Sequence, residues 1–195
     1  MTFRLGLTGS IGMGKSTTAA FFAAAGLPVW DADAAVHRLY AENGAAVAPL
    51  SDLCPEAIQD KSVSRETLKR LIAADPTLLP KVETIVHPLV AADRTTFLAN
   101  TTADIAILDI PLLFEKSSQH EYDATLLVTA PAALQRQRVL QRPGMTETHF
   151  RTILARQMPD AEKRALATHI VETLDLAATK AYVTALIAYI RGQNA

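Results

Sequence analysis

The sequence predicts an α/β fold, a parallel sheet covered by helices on both faces, and three observations lead there. Gly9-Ser10-Ile11-Gly12-Met13-Gly14-Lys15-Ser16 is a complete GxxxxGKS phosphate-binding loop, set between an apolar run and a helical pattern. Ile105-Ala106-Ile107-Leu108-Asp109 and Thr125-Leu126-Leu127-Val128-Thr129 are short apolar runs, the pattern of strands buried on both faces. Helical segments alternate with these runs, as parallel pairing requires.

In chain order, a strand at 3–8 feeds the loop, and a helix at 17–25 begins where a bound anion would sit. A second strand at 27–30 ends at Asp31-Ala32-Asp33, and a helix follows over 34–40. Residues 41–63 carry Gly, Pro and Ser without firm periodicity and read as loop with short helices. Ser64 caps a helix over 65–73, and a further helix over 78–100 is expected to break or bend near His87-Pro88. Beyond the runs at 105–109 and 125–129, a helix over 132–141 ends at Arg142-Pro143-Gly144-Met145. Thr146 caps a helix to about 158, Pro159 opens another, and His169-Ile170-Val171 is a weak last strand. Leu176, Val183, Ile187 and Ile190 line one face of a closing helix. The core is expected over about 1–40, 101–141 and 166–195, with an acceptor-binding helical insert at about 41–100 and a lid at about 142–165.

At 195 residues and 49% hydrophobic content the chain suits one domain with a small insert. Its formal charge of −1 argues against a nucleic-acid or membrane surface. Cys54 is the only cysteine, which removes an intrachain disulfide or cysteine-based metal site and fits a reducing compartment. No apolar run is long enough to span a bilayer, and no leader precedes the first strand, so a cytoplasmic location is expected.

The loop sets the ligand class. Its glycines let successive N–H groups aim at phosphate oxygens, Lys15 reaches the β/γ-phosphates, and the Ser16 hydroxyl takes a place on Mg²⁺. Asp109, at a strand end, is either a magnesium-site carboxylate or a turn residue. Asp33 either accepts a proton from an attacking hydroxyl or caps the next helix. Arg138 and Arg142, four apart, can share a helix face toward the nucleotide, whereas Arg136 reads as a solvated surface residue. His87 is either a ligand contact or a helix cap, and Pro111-Leu112-Leu113-Phe114 either an apolar site wall or core. Glu115 is placed to orient a basic partner. The remaining histidines have no metal-ligand spacing. With no Asn-Lys-x-Asp or Asp-x-x-Gly sequence, a GTPase is disfavoured. A small-molecule kinase remains, with a regulatory nucleotide-binding module as the non-enzyme alternative.

The ordered segments Leu7 to Ser16, Asp31-Ala32-Asp33, Arg65 with Leu68, His87-Pro88-Leu89-Val90 and Asp109-Ile110-Pro111-Leu112-Leu113-Phe114-Glu115 resemble the dephospho-coenzyme A kinase family over nearly the whole chain. Arg138, Arg142, Arg156-Gln157 and Lys163 fall where that family has its lid and nucleotide contacts. The resemblance implies a five-stranded, nucleoside-monophosphate-kinase-like three-layer sandwich. It also implies ATP-dependent phosphorylation of the ribose 3′-hydroxyl of dephospho-coenzyme A, with Mg²⁺, in a monomer or weak homo-oligomer. A kinase for another nucleoside- or nucleotide-like acceptor is the alternative. By the same resemblance Asp33 is the general base, while Lys15, Asp109 and Arg142 act at the reaction centre. Gly9, Ser10, Ile11, Gly12, Met13, Gly14, Lys15, Ser16 and Thr17, with Arg138 and Arg142, would hold ATP. Asp31, Asp33, Arg65, His87, Leu113, Phe114 and Glu115 would lie toward the acceptor, and Ser16 and Asp109 toward the metal. Ser10 stands where a glycine is common, with little effect expected. Val171-Glu172-Thr173-Leu174 replaces the usual Ile-x-Asn-Gly, which leaves adenine contacts there unassigned.

Overall fold

From its N-terminus the chain forms β1 (Phe3–Thr8), α1 (Lys15–Ala24), β2 (Val29–Asp31), α2 (Ala32–Tyr40) and α3 (Val47–Leu53). A hairpin of β3 (Ile58–Gln59) and β4 (Ser62–Val63) precedes α4 (Arg65–Ala74) and α5 (Leu78–Ala99). Then come β5 (Ile105–Asp109), β6 (Ala124–Thr129), α6 (Ala132–Leu140), α7 (Glu147–Leu154), α8 (Asp160–Leu166), β7 (His169–Glu172) and α9 (Leu176–Gln193). These assignments come from a computed structural model describing residues 2–193.

The apolar runs pair into one five-stranded parallel sheet in the order β2-β5-β1-β6-β7. Phe3 lies opposite Ile105 and Leu7 opposite Asp109, so the strands end level beside the phosphate loop. Alternate residues Leu5, Leu7, Ile105, Ile107, Leu126 and Val128 share one face with Phe22 of α1 and Val183, Leu186, Ile187 and Ile190 of α9. On the other face Ala106, Leu108 and Leu127 are equally buried. Covering both faces explains why the strands read as unbroken apolar runs rather than alternating ones. Gly6 admits close packing on that second face, where a Cβ would lie 2.8 Å from Leu113 Cδ1 and 3.0 Å from Tyr122 Cγ.

Two compact units emerge, one of residues up to Trp30 with those from Thr101 onward, the other Asp31–Asn100. The second has its own core, including Leu39, Leu50, Leu68, Val82 and Val86. It begins at Asp31 rather than near 41, because α2 packs on α5 and Arg38 pairs with Asp93 at 2.6 Å. Two further expectations change. Helix α5 continues through Pro88, which forfeits one backbone N–H without ending the helix. Leu176, at the first position of α9, is 67% exposed and takes no part in the apolar face below it.

Candidate active site

The phosphate loop leaves β1 at Thr8 and enters α1 at Lys15. Gly12 and Gly14 take φ of 78° and 94°, and a Cβ at Gly12 would lie 2.4 Å from Val139 Cγ2. Only glycine satisfies both demands there. Ser10 O accepts the Met13 N–H at 3.2 Å, and the Thr173 hydroxyl donates to Met13 O at 2.7 Å. No side chain caps α1. Among the described residues, the amides of Gly12, Gly14, Lys15, Ser16 and Thr17 donate to no protein acceptor. Convergent free N–H groups at a helix N-terminus form an anion site.

β5 carries Asp109 to this loop, where its carboxylate pairs with the Lys15 ammonium. Asp109 is only 3% exposed, so the loop lysine and the strand-end carboxylate meet in a largely dehydrated place. The Ser16 side chain next to them is exposed. A cavity of about 290 Å³ opens beside the loop, bordered by Gly12, Gly14, Arg138, Arg142, Thr173 and Leu176. Arg138 is fixed at its wall, donating to Thr173 Oγ1 at 2.9 Å and Thr173 O at 2.6 Å. Arg142, just past α6, is exposed and makes no side-chain hydrogen bond or ion pair among the described residues. Both arginines thus face the cavity, as their spacing suggests. Arg136 instead pairs with Glu147 at 2.8 Å, and Arg136 and Arg151 together hold that carboxyl below its ordinary value.

The segment expected to be a lid is fastened to the loop at two points. Gln157 Oε1 accepts the Ile11 N–H at 3.2 Å, and Lys163 Nζ donates to Ser10 Oγ at 3.0 Å. Gln135 of α6, which no sequence signal singled out, donates to Ile11 O at 2.8 Å. Three residues expected toward the acceptor have partners within the protein. Leu113 and Phe114 are 0% and 1% exposed. Glu115 Oε1 engages Lys163 at 2.8 Å and the Met158 N–H at 2.9 Å.

In the second unit the Asp31 side chain accepts the Ala34 N–H at 2.9 Å and so caps α2. That settles the capping alternative for Asp33, which lies exposed in the first turn, its carboxylate without hydrogen bond or ion pair among the described residues. Arg65 stands beside it, its guanidinium 3.5 Å from Asp33 O and 5.7 Å from the Tyr40 ring centroid. His87 is exposed on α5, 3.8 Å from Glu83, and caps nothing because the helix runs on. Asp31→Ala should destabilise the second unit by about 1 kcal/mol, read as a lower urea midpoint at unchanged slope. An unchanged midpoint would show that the cap contributes nothing.

Residues 3–177 match the family model described as CoaE, dephospho-CoA kinase. A dephospho-CoA kinase of Cereibacter sphaeroides is 67% identical over 189 residues, covering 97% of this chain and 96% of the relative. One from Ruegeria pomeroyi is 52% identical, covering 100% and 98%. The crystal structure of TT1252 from Thermus thermophilus superposes with a TM-score of 0.86 at 35% identity, over 96% of this chain and 97% of that one.

Proposed function

We propose a mechanism from one premise: this chain belongs to the dephospho-CoA kinase family. It is an ATP-dependent kinase that phosphorylates dephospho-CoA in coenzyme A biosynthesis. The observation that carries the reading is the glycine loop with its free amides beside the Lys15–Asp109 pair.

The loop amides hold the phosphates of ATP, and Lys15 exchanges Asp109 for the β- and γ-phosphate oxygens. The Asp33 carboxylate takes the proton of the ribose 3′-hydroxyl as that oxygen bonds to the γ-phosphorus. The bond from the γ-phosphorus to the β–γ bridging oxygen breaks, and ADP leaves with the electron pair. Arg142, whose side chain has no partner among the described residues, approaches the phosphates and stabilises the charge that builds on the transferring group. Arg138 stays on Thr173 and walls the nucleotide side of the cavity. Arg65 and His87 remain candidates for acceptor binding, since both are exposed on the unit that carries Asp33. Leu113 and Phe114 are packing residues in this scheme.

The donor set suits Mg²⁺: a hydroxyl at Ser16 and a carboxylate at Asp109 are hard oxygen ligands, and this ion takes most of its shell from water and substrate phosphates. When bound, it neutralises phosphate charge. The deciding experiment follows ADP formation with magnesium, with and without dephospho-CoA, together with the acceptor's mass. A gain of one phosphoryl group at the 3′-hydroxyl is expected, whereas tight ATP binding with no transfer would overturn the reading.

A further inference from the structure

We propose that Lys163 is a positioning residue for the phosphate loop, acting through the Ser10 hydroxyl with Glu115 as its counter-charge. The proposal rests on the kinase reading above and deepens it.

Lys163 has 0% side-chain exposure, on an α8 whose other residues are mostly open to solvent. Burying an ammonium is costly even when it is paired, and a well-packed apolar residue usually serves stability as well or better. A lysine held in this way is therefore doing something an apolar side chain cannot. Its Nζ lies 2.8 Å from Glu115 Oε1 and donates to Ser10 Oγ at 3.0 Å. Ser10 is the residue whose carbonyl receives the Met13 N–H and so turns the loop. Restraining Ser10 restrains that turn.

The next residue is held as well. Ile11 gives its N–H to Gln157 and takes a hydrogen bond from Gln135 on its carbonyl. Glu115 also receives the Met158 N–H, so one carboxylate anchors both the Lys163 charge and the stretch carrying Gln157. α8 is itself fixed to the sheet, because Asp160 accepts from Thr129 Oγ1 at 2.8 Å and Arg164 donates to the same Oγ1 at 3.2 Å. The first half of the loop, Ser10 and Ile11, is thereby immobilised from outside. The second half, Gly12 and Gly14 to Thr17, keeps its amides free for phosphate. A loop already ordered before the nucleotide arrives loses less entropy on binding, which appears as ATP affinity.

The test separates positioning from stability. Lys163→Met leaves the Glu115 carboxylate, 14% exposed, without its cation, so both a lower Tm and an ATP KM raised about tenfold are expected. Lys163→Met with Glu115→Gln removes both charges and keeps an acceptor for the Met158 N–H. It should recover most of the Tm while the ATP KM stays raised, and the dephospho-CoA KM should not move. Ser10→Ala, which deletes only the loop hydroxyl, should raise the ATP KM severalfold at unchanged Tm. Calorimetric affinity for a non-hydrolysable ATP analogue provides the same comparison without any acceptor, so a wrong acceptor assignment would not mask the result. Wild-type analogue affinity in Ser10→Ala, or its recovery in the double variant, would reduce Lys163 to a packing residue and overturn the proposal.

Discussion

Lys15→Ala should lower kcat by about 10³-fold, roughly 4 kcal/mol, because it deletes a charge aimed at oxygens that gain negative charge during transfer. The starting geometry sharpens this expectation. The Lys15 ammonium is already held at the loop by Asp109, so its position needs little rearrangement when phosphates replace the carboxylate. Removing the ammonium also takes a cation away from a carboxylate that is 3% exposed, which works against filling the site with further anionic oxygens. ATP-analogue affinity should therefore fall together with kcat. Steady-state kinetics and calorimetry on the variant check both effects. Retention of a tenth or more of wild-type kcat would show that the loop amides carry the charge without Lys15.

Asp33→Asn should cut kcat at least about 100-fold with ATP affinity and Tm near wild type. The two aspartates of the Asp31-Ala32-Asp33 sequence divide the work. Asp31 holds the N-terminus of α2 through Ala34, and Asp33 has an exposed carboxylate with no partner among the described residues. An amide at position 33 leaves the cap intact and removes only the basic oxygen. Turnover close to wild type would remove Asp33 from the chemistry.

Much of the fold was legible because it rests on local rules. The apolar runs at β1, β5 and β6 are buried on both faces, and such strands announce themselves by composition alone. Ser64 and Thr146 cap the helices their spacing indicates, each accepting an N–H three residues on. The β3–β4 hairpin escaped notice for a physical reason. Its turn places Asp60 and Lys61 at φ of 47° and 57°, a conformation usually signalled by Asn-Gly. α3 starts at Val47 after Ala46, which offers no side-chain cap, so its beginning carried no mark. At Pro88 the alternative of a break fails, because one missing N–H leaves α5 continuous from Leu78 to Ala99.

The site divides in the same manner. The meeting of Lys15 with Asp109 and the placing of Arg138 and Arg142 at one cavity are legible from motif and spacing. Leu113, Phe114 and Glu115 are not, since an apolar run ending in an acid reads alike whether it walls a pocket or packs beneath a sheet. Only the partners decide, and Glu115 finds its partner in Lys163, far along the chain. Gln135 and Gln157 act through single amide groups, which leave no pattern in a sequence at all.

The strand order has a consequence for how the molecule is made. β1 is synthesised before the whole 31–100 segment, yet both of its neighbours, β5 and β6, are encoded after it. Phe3 must wait for Ile105, and Leu5 for Ala124. At the usual 5–20 residues per second that wait is on the order of 10 s. During it the segment that will cradle ATP has no template, while every core residue of the inserted unit, Leu39 to Val86 among them, has already been synthesised. The nucleotide site is thus a part of the nascent protein that cannot form until β5 and β6 have been made, although its defining motif lies at residues 9–16.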